Sequence, residues 1–278
     1  MKLIAPLWQA HLAVLLFGLS APLSTYIGLP SVELTFARSF IAGVLLLSLS
    51  ASRPHRLWPS LGSSWKEGLL LAFHWYTFFR VAIEGSVDWA LISFATYPLW
   101  TMLLEVLVLK RRPSLVEWLK GASIMVGTAL LIHFNLGPLG LDIILFGLAS
   151  ALAFALLQLL NHASPQEKSS QQLAGEQMLW AALFLTPFLN QKAYLSVDVN
   201  WILVLVHGVL LTALAYSLFI AALRKIGERK AAFIAALEPI YGILFAVIFM
   251  NLNLHWIQIL GGALVILPLF LRNRKDPL

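Results

Sequence analysis

Apolar residues fill this chain in long, nearly continuous runs, among them "LTFARSFIAGVLLLSLS", "GLLLAFHWYTFFRVAI" and "WILVLVHGVLLTALAYSLFIAAL". Such runs approach or reach the roughly 20 residues that a helix needs to cross a hydrocarbon layer, and they lack the alternation over about ten residues that marks a barrel strand. The pattern predicts an all-α integral membrane protein with ten transmembrane helices, at 8–27, 31–50, 66–85, 89–109, 114–133, 140–160, 172–190, 201–223, 231–250 and 254–271. The longest polar stretches are short, "ASRPHRLWPSLGSSWK" and "HASPQEKSSQQ", and no soluble domain fits between the spans. The first run follows Lys2 and resembles a signal peptide, but the internal repeat described next predicts that it is retained.

Moving residues 75–127 by 141 positions lays them over 216–268 without a gap. Pro98 then meets Pro239, Leu103 meets Leu244, Val106 meets Val247, Leu119 meets Leu260, and Gly121-Ala122 meets Gly262-Ala263. A second match, "LFGL" at 16–19 and again at 145–148, relates spans one and six. Two units, 1–137 and 138–278, would each hold five spans. An odd number forces the halves to cross the bilayer in opposite directions, the inverted repeat of many secondary transporters.

Composition agrees: 60% of residues are hydrophobic, 12% are charged, and the mean hydropathy is +0.84, whereas soluble domains carry about 25% charged residues. The net charge of +6 is not read as a nucleic-acid surface, because the basic residues sit in short clusters between apolar runs. With the N-terminus inside, the inner segments hold Lys2, Arg53, Arg56, Lys66, Lys110, Arg111, Arg112, Lys168, Arg224, Lys225, Arg229, Lys230, Arg272, Arg274 and Lys275, while the outer loops hold Lys192 alone. That asymmetry predicts both termini on the cytoplasmic side. The chain has no cysteine, which excludes disulfides, thiolate chemistry and cysteine-held metals. Neither "HExxH" nor "GxSxG" nor a phosphate-binding glycine loop occurs, so an enzyme or a nucleotide-driven pump lacks its parts, and no cofactor is expected.

Ten spans in two inverted halves, with "LLFGLSAPLS" in span one, "LTFARSFIAGVLLL" in span two, "PLWTMLLEVLVLKRRPSLVEWLKGASIMVGTALL" over spans four and five and "LEPIYGILFAVIFMNLNLHWIQILGGALVI" over spans nine and ten, resemble the EamA-like drug/metabolite transporter superfamily. Members commonly carry Gly-Glu after spans four and nine, where this chain has Leu109-Lys110 and Met250-Asn251. The resemblance implies a bacterial inner-membrane exporter of a small organic metabolite, working by alternating access around a midplane cavity bordered by span three. The alternative is a non-transporting scaffold or sensor. The expected partners are a small-molecule substrate, the lipid bilayer and, as a candidate coupling ion, the proton.

Residues that are costly to bury mark the candidate site. Glu238 falls about 12 Å into span nine at 1.5 Å per residue, where an acid costs about 2.5 to 3.5 kcal/mol. It has three readings: substrate contact, proton coupling, or a structural bond to a helix carbonyl freed by Pro239. Pro98 and Pro239 occupy equivalent places and predict paired kinks beside the cavity. Arg38, near Glu33, is expected to act structurally or as a gate, with direct substrate binding as the further reading, while Arg80 and Glu84 are spaced to pair on one helix face. Glu105 is expected to meet the neighbouring Lys110-Arg111-Arg112 at the interface. His74, Trp75, Tyr97, Trp100, Tyr216 and Tyr241 are the candidate substrate-binding surface, with core packing as the alternative for each, and His74 joins Glu238 as a candidate proton carrier. Ser20, Ser24, Gln158 and Asn161 add hydrogen-bonding groups that serve a cavity or interhelical contacts equally well.

Overall fold

The computed structural model describes residues 4–50, 63–132, 140–165, 167–250 and 254–271. Lys2, Arg53, Arg56, Arg272, Arg274, Lys275 and the expected seam near 137 lie outside the described residues. Those residues that are described form helices and connecting turns, with no strand among them.

In chain order the α-helices are α1 (Ile4–Ser24), α2 (Ser31–Ser50), α3 (Trp65–Arg80), α4 (Val87–Phe94), α5 (Tyr97–Leu107), α6 (Leu115–Leu131), α7 (Leu141–Ala163), α8 (Ser170–Leu185), α9 (Trp201–Gly208), α10 (Ala215–Ile226), α11 (Glu228–Ala235), α12 (Glu238–Met250) and α13 (Trp256–Phe270). Five segments are long and apolar enough to cross a membrane: α1, α2, α4 through α5, α7, and α9 through α10. The others are shorter or broken, or carry charge. Span seven ends at Leu185 rather than near 190, because Pro187 starts a short 3-10 turn, Thr186–Phe188, that cannot extend the α-helical ladder.

Spans four and nine are divided outright where a kink was expected. Ala95-Thr96 and Ala236-Leu237 interrupt them, and Pro98 and Pro239 each stand second in the helix that follows, where a missing N–H costs little. The 141-residue shift carries Val87–Phe94 onto Glu228–Ala235 end for end, and Tyr97 onto Glu238. It also carries the capping box at Ser114 and Glu117, which opens α6, onto the one at His255 and Gln258, which opens α13. Gly227, at the equivalent of the α4 cap Ser86, takes φ +84°, a conformation suited to glycine, as the chain turns from α10 into α11.

Packing runs between distant segments. The α2 helix lies against α8, α6 against α13, α3 against α7 and α8, α1 against α10 and α12, and α4 and α5 against α7. At the α6–α13 crossing a Cβ on Gly127 would stand 2.7 Å from the Gly261 carbonyl oxygen, so glycine permits direct backbone contact there. The span from Trp201 to Ile226 contains a π-helical segment, Val209–Leu214, in which Thr212 donates back to the His207 carbonyl at 2.7 Å. That loosened turn faces the interior of the bundle and shapes the site.

Candidate functional site

Among the cavities bordered by the described residues, two bear on the candidate residues. The larger, about 980 Å³, sits at the end carrying the basic connections and is bordered by His11, Glu105, Arg111, Glu228, Arg229 and Tyr241 among others. The smaller has room for only about 30 Å³, roughly one water molecule. It is walled by aromatic rings, with Arg38, His74, Trp75, Tyr216 and Glu238 on its lining. Leu237 and Tyr241 border the larger cavity, and Glu238, between them in the chain, borders the smaller.

Glu238 is the first residue of α12, directly after the break. There the unbonded amides of a helix start favour a carboxylate. The α1 helix passes so close that a Cβ on Gly18 would lie 2.8 Å from the Glu238 carbonyl oxygen. Arg38 comes from α2 and is buried. Its guanidinium lies over the rings of Trp75, at 4.3 Å, and Phe79, at 4.6 Å. Nε donates to Thr212 Oγ1 at 2.8 Å and Nη2 to the Leu211 carbonyl at 3.4 Å. Both acceptors belong to the π segment, which presents a carbonyl and a hydroxyl to the same group. Arg38 does not meet Glu33, which accepts from the Asn190 amide at 2.8 Å.

His74 is anchored rather than free: Nδ1 contacts Ser150 Oγ at 2.8 Å, and that hydroxyl donates to the His74 carbonyl at 3.0 Å. Its ring packs on Phe154, with centroids 4.4 Å apart. Tyr216 meets Trp75 edge-on and belongs to a buried amide network, donating to Gln177 at 2.9 Å and accepting from Asn161 at 3.1 Å, with Gln158 bonded to Asn161. Tyr97 stacks on Phe94 and meets Phe154 edge-on behind the cavity, and its hydroxyl has no partner among the described residues. Trp100 packs against the core and borders neither cavity. Tyr241 bonds His11 at 2.7 Å in the larger cavity. The structure therefore gathers Arg38, His74, Trp75, Tyr216 and Glu238, and leaves Tyr97, Trp100 and Tyr241 apart from them. Ser20 lines the small cavity directly and also contacts His207, whereas Ser24 bonds the Ala21 carbonyl of its own helix.

Three contributors escaped the sequence reading. His207 is buried, donates from Nε2 to the Ser20 carbonyl at 2.9 Å and meets Phe79 edge-on. Its signal was available, since an ionisable residue inside an apolar run marks function by default. Gln177 and Thr212 gave none, as both types are common in membrane helices.

Glu105 also departs from expectation. It is 1% exposed, and its partner is Arg229, 124 positions away, rather than the adjacent basic cluster. Arg229 also bonds Glu117, while Arg111 reaches Glu228 at 2.7 Å. These pairs tie α5, α6 and α11 together at the mouth of the larger cavity. Arg80 and Glu84 pair as their spacing predicts, at 3.1 Å. Toward the opposite end, among the described residues, the Asn200 amide donates to the Ile27 carbonyl at 2.9 Å, and Tyr194 donates to the Glu33 carbonyl at 2.9 Å. Burial, with the negative charge of Glu33 beside it, raises the Tyr194 phenol above its ordinary value.

A profile of the EamA-like transporter family matches residues 5–133 and again residues 141–274. The chain belongs to the EamA-like transporter family. It is an integral membrane protein. Similar proteins include the uncharacterized transporter YxxF of Bacillus subtilis, 24% identical over 91% of this chain and 85% of that one. The uncharacterized inner membrane transporter YicL of Salmonella typhimurium is 23% identical over 92% and 90%. A solved crystal structure shares the fold, with a TM-score of 0.75 at 17% identity over 95% of this chain and 94% of that chain.

Proposed function

We propose that this EamA-family chain is a secondary transporter that exports a small organic metabolite across a bacterial inner membrane by alternating access. Ten spans form two inverted five-helix halves, 1–137 and 138–278, with both termini cytoplasmic. The doubled family match supports this reading, and so does the packing. Under exchange of the halves, α2 with α8 and α6 with α13 are self-matched pairs, and α3 with α7 corresponds to α10 with α1.

The observation that carries the proposal is access from one end. A cavity of about 980 Å³ reaches inward from the basic end, while toward the far end hydrogen bonds link Ile27, Glu33, Asn190, Tyr194 and Asn200. With basic connections on the cytoplasmic side, this conformation loads from the cytoplasm, the starting point for export. Arg38 and Glu238 form the polar heart of the substrate site, with Glu238 as the coupling acid. Trp75, Tyr216 and His74 form its walls, and Pro98 and Pro239 set the breaks about which the halves rearrange. Tyr241 lines the larger cavity that leads toward this site, and in the second conformation Tyr97 and Trp100 join the pathway.

Efflux from proteoliposomes loaded with metabolite pools tests the reading, with chain orientation assigned by protease access. Efflux of at least one compound, at least tenfold slower in Glu238→Gln, is expected; absence of flux for every pool would remove the transporter assignment.

A further inference from the structure

Arg38 is 2% exposed, and three sides of its guanidinium are occupied by two ring faces, a hydroxyl and a carbonyl. Nη1 has no hydrogen-bond partner among the described residues. Glu238 is the carboxylate on the lining of the same small cavity, and no hydrogen bond joins the two among the described residues. A buried cation needs a nearby negative charge, and Glu238 supplies it through space. The guanidinium fork is thereby left with one open nitrogen, a geometry suited to a carboxylate oxygen. Once an anion occupies Nη1, two negative charges would share one buried cation. Like charges in such a site disfavour each other's ionised forms, and the neutral arrangement places a proton on Glu238.

We infer that the substrate is an organic monocarboxylate with an apolar or aromatic body, that its carboxylate binds Arg38, and that one proton binds Glu238 with it. The inference rests on the transporter reading and deepens it. The rings of Phe17, Trp75, Phe78, Phe94 and Phe154 line the cavity; as it stands it holds about one water molecule, so an apolar body enters between these rings only when they part. Charged and titratable groups around Glu238 are Arg38 from α2, His74 from α3, Tyr97 from α5, His207 from α9 and Tyr216 from α10; α1 brings His11 only at the larger cavity. His74 is engaged by Ser150, His207 by Ser20 and Tyr216 by the amide network. Glu238 is left as the acceptor of the proton. Anion and proton together cross without net charge, so the membrane potential neither drives nor opposes export, which then requires an outward anion gradient larger than any inward proton gradient.

Calorimetric titration of the purified full chain in detergent, in buffers of different ionisation heat, counts protons taken up per ligand. Benzoate, phenylacetate and octanoate are the monocarboxylates; phenylalanine is the zwitterion and phenethylamine the cation. At least one monocarboxylate is expected to bind with uptake approaching one proton. Its Kd should rise about tenfold per pH unit on the alkaline side, the slope of one linked proton. Glu238→Gln is expected to bind the acid with no uptake and a flat pH profile, and Arg38→Lys, which keeps the charge but loses the fork, to bind at least tenfold more weakly. Binding without proton uptake, uptake that survives in Glu238→Gln, tighter binding of phenylalanine than of any monocarboxylate, or no monocarboxylate binding at all overturns the inference. Flux is read separately in liposomes. Binding with uptake but no flux would reject the transporter reading and leave the site standing.

Discussion

The two broken spans have one backbone and two chemistries. Helices α4 and α5 match α11 and α12 residue for residue at the break, with a proline one position into the second helix of each. At the equivalent point one copy carries Tyr97, packed between Phe94 and Phe154, and the other carries Glu238, beside the small cavity. The two segments thus share where a helix stops, because the stop depends on local backbone chemistry. They do not share what the stop presents, because one side chain is enough to turn an aromatic wall into a charged site.

Substitutions at the two copies should therefore have unequal effects. Glu238→Leu leaves Arg38 buried without its counter-charge and is expected to cost about 3 to 5 kcal/mol, read as a lowered unfolding midpoint in detergent along with lost efflux. The double change Arg38→Met with Glu238→Leu should restore most of that stability without restoring transport; recovered transport would show that the pair serves packing alone. Arg229→Met strands Glu105, also buried, and is expected to cost about 3 kcal/mol. Its effect should fall on stability and on opening at the basic end, so a variant with unchanged melting would remove the network from the structural account.

Glycine contacts give the next effect in size. Gly18→Ala sets a Cβ 2.8 Å from the Glu238 carbonyl oxygen, and Gly147→Ala at the matched place in α7 sets one 2.4 Å from Ser93 Cβ. Each is expected to destabilise by about 1 to 3 kcal/mol, but Gly18→Ala should also slow efflux, because it moves Glu238. Equal efflux in the two variants would argue that the site is as symmetric as the backbone. The smallest change is Tyr97→Phe, which removes a buried hydroxyl with no described partner. Stability should stay level or rise by up to about 1 kcal/mol, with efflux nearly unchanged.

Much of the helical plan was legible. The shift that aligned Pro98 with Pro239 also aligns the ends of α4 with α11 and the capping boxes of α6 and α13, since caps and prolines act within a few residues of themselves. Arg38, His74, Trp75, Tyr216 and Glu238, which line one small cavity, could be nominated because charged, polar or large aromatic groups are conspicuous in an apolar run. Partners were not legible. Glu105 was assigned to a neighbouring basic cluster, and its actual partner Arg229 is 124 positions distant. His207 was overlooked in a helix that otherwise looked like lipid-facing filler. Tyr241, grouped with Glu238 as a candidate binding residue, borders the other cavity and bonds His11, although a spacing of three puts the two on one helix face; which neighbour each side chain meets is set by the helices packed there.

The sequence by itself determined a helical membrane protein, the positions of its breaks and caps, and the few groups too costly to bury without purpose, since hydrophobic length, proline geometry and the cost of buried charge act locally. Only the tertiary structure decided that Arg38 lies on Trp75 and Phe79, that a π-helical turn holds it, and that a large cavity lies at the basic end. Those outcomes depend on helices far apart in the chain, and side-chain direction at their crossings is set by packing that no local pattern records.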